Sequence, residues 1–429
     1  MQNSKRILIL SYYYPPVAGA ATFRSLEFVK HLPEFGWRPM VLSILPSSAS
    51  EIDSGLCEQT PVSVPVARVG HLHPKQVEKT LLVMWSVLWK MRLRSVAHRL
   101  QPYKVMRWML PDVQASWLIP GLLKARALVR QYKPQVILTT APPYTTHLIG
   151  LILKQQFGVS WVADYQDPWS QNPFTVYPST LHHKLDRWLD RKTLQSADLV
   201  LGATDGITQG LQSLRDGQTP GRFGTVWIGY EPSDFTSIRQ PKPQKSRLQI
   251  AYIGSLYGLR RADWFLATIN ELIESGEIDA DKVMITFLGA DGTGDTARYI
   301  GKPWFVYQNH LSHAEALDAM VAADHLLLLV NHEAVQQVPL KLFEYLGANR
   351  PIICIAPPSS IAARIVQEAK AGVIIPPNDT QTLKQAVGKL FEEWRQSKQG
   401  QKPSLEDISF YARPRQVEIL AALLDSLSL

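Results

Sequence analysis

Short apolar runs alternate with helical patterns along almost the whole chain, and this alternation most narrows the folds open to it. RILILS (Arg6–Ser11) is a buried-type strand followed by a Pro/Gly loop. A helix near Thr22–Phe35 comes next, with Phe23, Leu26, Val29 and Leu32 at helical spacing and Gly36 at its end, and then MVLSIL (Met40–Leu45). Strands this continuously apolar belong to a parallel sheet covered on both faces. The pattern continues with QVILTT (Gln135–Thr140), a helix near Tyr144–Phe157, WVADY (Trp161–Tyr165), a helix near Leu181–Ser196, DLVLGA (Asp198–Ala203) and VWIGY (Val226–Tyr230). RQPKPQKSR (Arg239–Arg247) has prolines, charge and no apolar period, and reads as a linker. Beyond it the alternation restarts with QIAYIGS, VMITFLGA, WFVY, HLLLLV, PIICIA and VIIPP. At 429 residues the chain exceeds one ordinary core. The expected fold is α/β, with two Rossmann-like doubly wound domains facing across a cleft. Residues 1–238 would form the first domain, with a basic, Trp-rich insertion at about 75–110. Residues 247–400 would form the second, and 401–429 read as helices that can pack back on the first.

With 45% apolar and 19% charged residues the composition is globular. Cys57 and Cys354 are the only cysteines, too few for a disulfide framework or a thiolate metal site. The opening MQNSKRILILSYYYPP breaks its apolar run with tyrosines and prolines, so it reads as a first strand and not a signal peptide. The longest nearly apolar run, Leu81–Trp89, is about half of what spans a bilayer, so no transmembrane helix and a cytoplasmic location are expected. Around that run stand Lys75, Lys79, Lys90, Arg92, Arg94, Arg99, Lys104 and Arg107, with Trp85, Trp89 and Trp108 among them. No acid lies between Lys79 and Arg107. The stretch Lys75–Arg107 reads either as a helix lying on an anionic membrane surface or as a solvated basic helix beside a core helix. No nucleic-acid-binding module accompanies the charge, so nucleic acid is not an expected partner.

The segment VPLKLFEYLGANRP (Val338–Pro351) carries the most chemistry. Lying between two apolar runs, it reads as strand, loop, helix, strand, with Pro339 in the first helical turn and Gly347 and Asn349 suited to a left-handed exit. In open α/β sheets such a loop opens on the ligand crevice, and the helix start presents free N–H groups to anions. A phosphate-bearing ligand is the natural expectation. The loop YYYPPVAGAATF (Tyr12–Phe23) has Gly19 among alanines, which lets a ligand approach the backbone. It lacks G-x-G-x-x-G, and no acid follows the second strand, so a dinucleotide-dependent dehydrogenase is excluded. No Walker-type phosphate loop occurs either.

Four stretches, in order along the chain, resemble the family-4 glycosyltransferases, which have the GT-B fold and retain anomeric configuration. They are the opening RILILSYYYPPVAGAATFRSLEFVKHLPEFGW, VADYQDPW (Val162–Trp169), IAYIGSLYGLRR (Ile250–Arg261) and VPLKLFEYLGANRPIICIA. VADYQDPW is similar to the "D-x-R-D-P-W" segment of a bacterial branch that often builds surface polysaccharides. The resemblance implies a nucleoside-diphosphate-sugar donor, a glycan or lipid-linked acceptor, and no metal or further cofactor. It places Glu344 on the donor's ribose hydroxyls and Pro339 with the helix start at its phosphates. Lys341 either touches the ligand or supports the helix start. Arg260 or Arg261 would stand near the cationic pair on the leaving diphosphate, beside Gly254 and Ser255 of the same loop, or be solvated. Gly19 matches the loop facing the diphosphate or the acceptor. His147 matches a histidine near the transferred sugar, or is a core histidine, and Asp164 is expected to contact acceptor or sugar.

Three departures from the family pattern stand out. Gln336 replaces the first of two glutamates, Gln166 replaces the arginine beside Asp164 and Asp167, and Ile228 opens the segment where Asn-Gly-x-Asp is usual. They keep open a non-catalytic sugar-nucleotide or glycan-binding scaffold. A sugar-nucleotide epimerase of the same architecture is a further alternative.

Overall fold

The computed structural model describes residues 5–49, 52–91, 101, 105–215, 222–236, 238, 246–258, 260–309, 311–330, 333, 335–397 and 405–427. Its contacts divide the chain into two compact units, Met1–Ile228 with Gln416–Leu429, and Gly229–Arg415. The division falls at Ile228/Gly229, ahead of the proline-containing segment, and the C-terminal helix lies mostly with the first unit.

The first unit holds a seven-stranded parallel sheet in the order β3-β2-β1-β4-β5-β6-β7. Its strands are β1 (Lys5–Ser11), β2 (Trp37–Ile44), β3 (Val66–Val69), β4 (Val136–Ala141), β5 (Ser160–Tyr165), β6 (Leu199–Gly202) and β7 (Arg222–Thr225). The helices that concern the site are α1 (Ala20–His31), α2 (Pro74–Lys90), α3 (Leu118–Tyr132), α4 (Thr145–Phe157), α5 (Thr180–Ser196) and α6 (Asp205–Leu214). Successive strand residues point to opposite faces, and both faces are buried. Leu8 and Leu10 pack with Trp117, Ile149 and Trp161 on one side. Ile7 and Ile9 pack with Phe28 of α1 and with Val417, Leu420 and Leu424 of the C-terminal helix on the other. That two-sided burial is why the strands read as unbroken apolar runs. VWIGY is not a strand, because β7 ends at Thr225 just before it. Val226 and Trp227 are instead buried in the core beyond the sheet edge.

The second unit has six parallel strands in the order β10-β9-β8-β11-β12-β13. They are β8 (Leu248–Ile253), β9 (Val283–Leu288), β10 (Phe305–Gln308), β11 (His325–Leu329), β12 (Ile352–Ile355) and β13 (Gly372–Ile375). The helices that concern the site are α7 (Asp263–Glu274), α8 (His313–Ala322), α9 (Leu340–Gly347), α10 (Ile361–Glu368) and α11 (Thr380–Ser397), and the C-terminal helix is α12 (Arg413–Asp425). The strand order reverses between β8 and β11, the topological switch point at which open α/β sheets bind ligands. The loops leaving β8 and β11 carry Gly254–Arg261 and Gln336–Pro339.

Candidate functional site

α9 carries two charged side chains to that switch point. Leu342, Phe343, Tyr345 and Leu346 are buried, which leaves Lys341 and Glu344, three residues apart, on one edge of the helix. Pro339 is the N-cap residue, one position before the expected first turn. Gly347 lies inside the helix and is needed for packing, since a Cβ there would stand 2.5 Å from the Phe235 ring. Only Asn349 takes the left-handed exit, at φ 52. The Tyr345 hydroxyl accepts the Ile253 amide at 3.0 Å and so ties α9 to the end of β8. Sequence reading passed over this hydroxyl, because its partner is a backbone group distant in the chain.

The tie brings Lys341 onto the β8 loop. Its Nζ sits 3.9 Å from the centre of the Tyr252 ring and is buried with no hydrogen-bond partner among the described residues. Gly254 makes room for it, because a Cβ at that position would lie 2.4 Å from Nζ. Burial pushes the ammonium well below its usual range, the nearby Arg260 pushes it further, and Glu344 acts against both. Arg260 stacks its guanidinium 4.9 Å from the Tyr257 ring, and its buried Nε is unpartnered. Glu344 is half-buried, and its carboxylate accepts no hydrogen bond among the described residues. An unpartnered Lys341 Nζ and Arg260 Nε, with a carboxylate that has no partner among the described residues, are what an anionic, hydroxyl-bearing ligand would complete at a switch point. Ser255 is exposed beside them, with its carbonyl held by the Tyr252 hydroxyl at 3.0 Å. Gln336 is exposed on the loop leading to α9.

Arg261 diverges from its neighbour. Its Nε donates to both Asp295 oxygens at 2.9 Å, while the same carboxylate accepts the Ala262 amide at 2.8 Å at the start of α7. The expected role on the leaving diphosphate is therefore corrected for Arg261, whose Nε and Nη2 are held by Asp295 and fix the loop.

In the first unit, Gly19 is the N-cap of α1 at φ 136. No atom lies within 4 Å of where its Cβ would be, so the approach to that helix start is open. Asp164 is a correction. It is fully buried and bound by Arg24 of α1, with Nη2 to Oδ1 at 2.7 Å and Nε to Oδ2 at 3.2 Å. Thr140 donates to Oδ2 at 2.8 Å, and with the side chain 0% exposed the carboxylate presents no open oxygen to a sugar. The cation that Gln166 lacks arrives from α1, and Gln166 itself donates to Thr140 at 3.0 Å. Asp167, half-buried just past β5, forms no ion pair among the described residues, and burial pushes it up to about 6.

His147 is also corrected, from the transferred sugar to the core. It is 0% exposed, its Nδ1 lies 2.8 Å from the Thr139 hydroxyl, and its ring is 4.4 Å from that of Tyr165. Burial lowers its pKa to about 3. Because the folded value lies below the unfolded one, the fold loses stability as pH falls from about 6.5 toward 3. His147→Gln should therefore gain about 2 kcal/mol relative to the parent between pH 7 and pH 5. Urea unfolding at the two pH values checks this, and a constant difference would remove His147 as the titrating group.

The exposed apolar part of the basic stretch is α2, whose Leu82, Val83, Met84, Val87 and Trp89 are all exposed. Arg92, Arg94, Arg99 and Lys104 lie outside the described residues. Among the described residues no helix is long and apolar enough to cross a membrane.

Comparison with known proteins agrees with this architecture. Residues 19–218 match the family described as Glycosyl transferase 4-like domain, and residues 247–393 match Glycosyl transferases group 1. No curated protein matches the sequence significantly. Among solved structures, the sucrose-phosphate synthase of Thermosynechococcus elongatus superposes with a TM-score of 0.64 at 13% identity, over 99% of this chain and 98% of that one. An Escherichia coli trehalose-6-phosphate protein bound with UDP-2-fluoro glucose gives 0.60 at 13% identity, over 98% and 96%. A UDP-N-acetylglucosamine 2-epimerase gives 0.55 at 12% identity, over 98% and 96%. At these identities the superpositions speak for the fold, and the two family matches, which together span most of the sequence, speak for the lineage: the chain belongs to the family-4 glycosyltransferases of GT-B fold.

Proposed function

We propose that the protein transfers a sugar from a nucleoside-diphosphate donor to a glycan or lipid-linked acceptor, with retention and without a bound metal, in cell-surface polysaccharide synthesis. The observation that carries this reading is the Lys341–Arg260–Glu344 cluster at the switch point of the second unit. Glu344 accepts the ribose hydroxyls, which need an acceptor that is ionised and not already bonded. Lys341, Arg260 and the start of α9 take the diphosphate. As the bond from the anomeric carbon to the departing phosphate breaks, charge grows on the phosphate oxygens, and two poorly satisfied cations stabilise that charge more than the ground state. The acceptor hydroxyl bonds to the anomeric carbon from the same face, and its proton passes to the leaving phosphate. No protein nucleophile is then required. Asp167, in place of Asp164, is the carboxyl available to an acceptor. The enzyme would work in the cytoplasm at the inner face of the membrane, where a lipid-linked acceptor is found.

The test is thermal denaturation of the chain with a panel of nucleoside diphosphates and their sugars, with and without divalent cations. A ligand bound only by the native state raises the midpoint, and the reading expects one nucleotide family to do so independently of metal. Glu344→Ala should weaken that nucleotide by about 10- to 100-fold, the worth of a hydrogen bond to a charged group, and leave the unliganded midpoint within a degree or two. If the variant unfolds while affinity persists, Glu344 is structural and the site assignment fails.

A further inference from the structure

α5 sorts its charges. Its two acids, Asp186 and Asp190, both face inward. Asp186 accepts the Trp169 indole at 2.9 Å and the Tyr177 hydroxyl at 2.7 Å. Asp190 accepts the amide and hydroxyl of Ser170 at 3.0 and 2.7 Å, and the Tyr165 hydroxyl at 3.1 Å. The cations lie outward. Lys184, Arg187, Arg191 and Lys192 line a shallow groove with Trp188 and Gln195. Along the same outward arc run Leu181, Leu185 and Trp188, exposed by 66%, 44% and 55% and spaced to form one stripe.

An ordinary solvated helix places acids among its outward cations and keeps leucine and tryptophan off that face. An apolar stripe with a Trp, flanked by cations and without an outward acid, is the composition of a surface that sits at a lipid headgroup boundary. We propose that the outward face of α5 docks the protein on an anionic membrane, with Leu181, Leu185 and Trp188 entering the headgroup layer and Lys184, Arg187 and Lys192 contacting anionic lipids. This face lies outside the Lys75–Arg107 stretch. Charge complementarity selects the bilayer as the occupant, since three of the six groove residues, Lys184, Arg187 and Lys192, form no ion pair among the described residues. The inward carboxylates add a consequence that rests on the transferase reading. They anchor α5 to Trp169 and Ser170, in the loop carrying Asp167, so docking would hold that loop beside a lipid-linked acceptor.

The experiment is cosedimentation of the full chain, without donor, with phosphatidylcholine vesicles and with vesicles in which about a third of the lipid is phosphatidylglycerol. Binding is expected to the anionic vesicles only and to weaken with salt. Lys184→Ala/Arg187→Ala/Lys192→Ala should lower partition about 100-fold, at roughly fivefold per cation. Leu185→Glu/Trp188→Glu should abolish it, and both variants should keep the parent's melting midpoint and its response to nucleotide. No binding by the parent, equal binding to neutral vesicles, or unchanged binding by both variants overturns the proposal. So does loss of binding only in Leu82→Glu/Val87→Glu, which would place the surface on α2. Because no donor is present, failure here is distinct from failure of the transferase reading, which the nucleotide shift reports separately.

Discussion

Replacing Arg24 by Met should destabilise the first unit by about 3–5 kcal/mol, and replacing Asp164 by Asn in the same chain should recover most of that loss. The pair is 0% exposed on both sides, so the surviving carboxylate of the single variant cannot turn to water. Arg24 is satisfied on three sides. Two contacts go to Asp164, and Nη1 donates to the Trp227 carbonyl at 3.0 Å. The guanidinium also stacks 4.7 Å from the Phe28 ring. Removing it alone leaves a buried charge with Thr140 as its remaining donor among the described residues. In the double variant the Asn retains the Thr140 contact and carries no charge, so the two substitutions are strongly coupled. Urea unfolding of both singles and the double measures the coupling. If the two losses simply add, the two side chains are not coupled and the pair makes no net contribution to the fold.

That pair also marks where the sequence was legible and where it was not. Strand positions could be read because burial on both sheet faces leaves an unbroken apolar run, as in RILILS and HLLLLV. Where a strand lies at an edge the signal fades. β3 (Val66–Val69) is half-buried throughout, and β7 (Arg222–Thr225) is hidden beside the more apolar VWIGY. In the site, Lys341 and Glu344 could be read because their spacing within one helix is local. The partner of Asp164 could not, since Arg24 is 140 residues away and looks like one more exposed position on an amphipathic helix. The resemblance to the family made this worse: it supplied an arginine within the motif, and the cation is delivered from another element. Arg260 and Arg261 are adjacent, yet among the described residues only Arg261 has a carboxylate partner, because Asp295 reaches it from a loop that no local pattern connects to it. His147 shows the same limit. A histidine near a helix start at a sheet's C-terminal edge reads as functional until packing closes over it.

Lys341→Met should make the unliganded protein more stable and at the same time a much weaker binder of the donor. A buried ammonium without a hydrogen-bond acceptor, pressed by Arg260, costs the fold, and the tyrosine ring under it compensates only in part. Methionine fills the same space over Gly254 without charge, so a gain of about 1–2 kcal/mol is expected. Its pH dependence follows from the direction of the shift. Since the folded value lies below the unfolded one, the cost exists at neutral pH and disappears as pH rises toward the unfolded lysine range, and the variant's advantage should shrink accordingly. A structural lysine would behave in the opposite way and lose stability on substitution. For the donor, the diphosphate supplies the acceptor that Lys341 lacks, and losing that contact should cost about 2–4 kcal/mol, roughly 30- to 1,000-fold in affinity. The bound anion also draws the ammonium's pKa back up, so binding takes up a proton at alkaline pH. Calorimetric titration with a nucleoside diphosphate, in buffers of different ionisation enthalpy, would register this uptake in the parent and not in the variant. A variant that is less stable but binds with parental affinity would place Lys341 among the supports of α9 and leave Arg260 as the cation on the diphosphate. Higher stability with lost affinity is the pairing expected of a group held in an unfavourable state for its ligand, and it is the reason the fold tolerates the ammonium there.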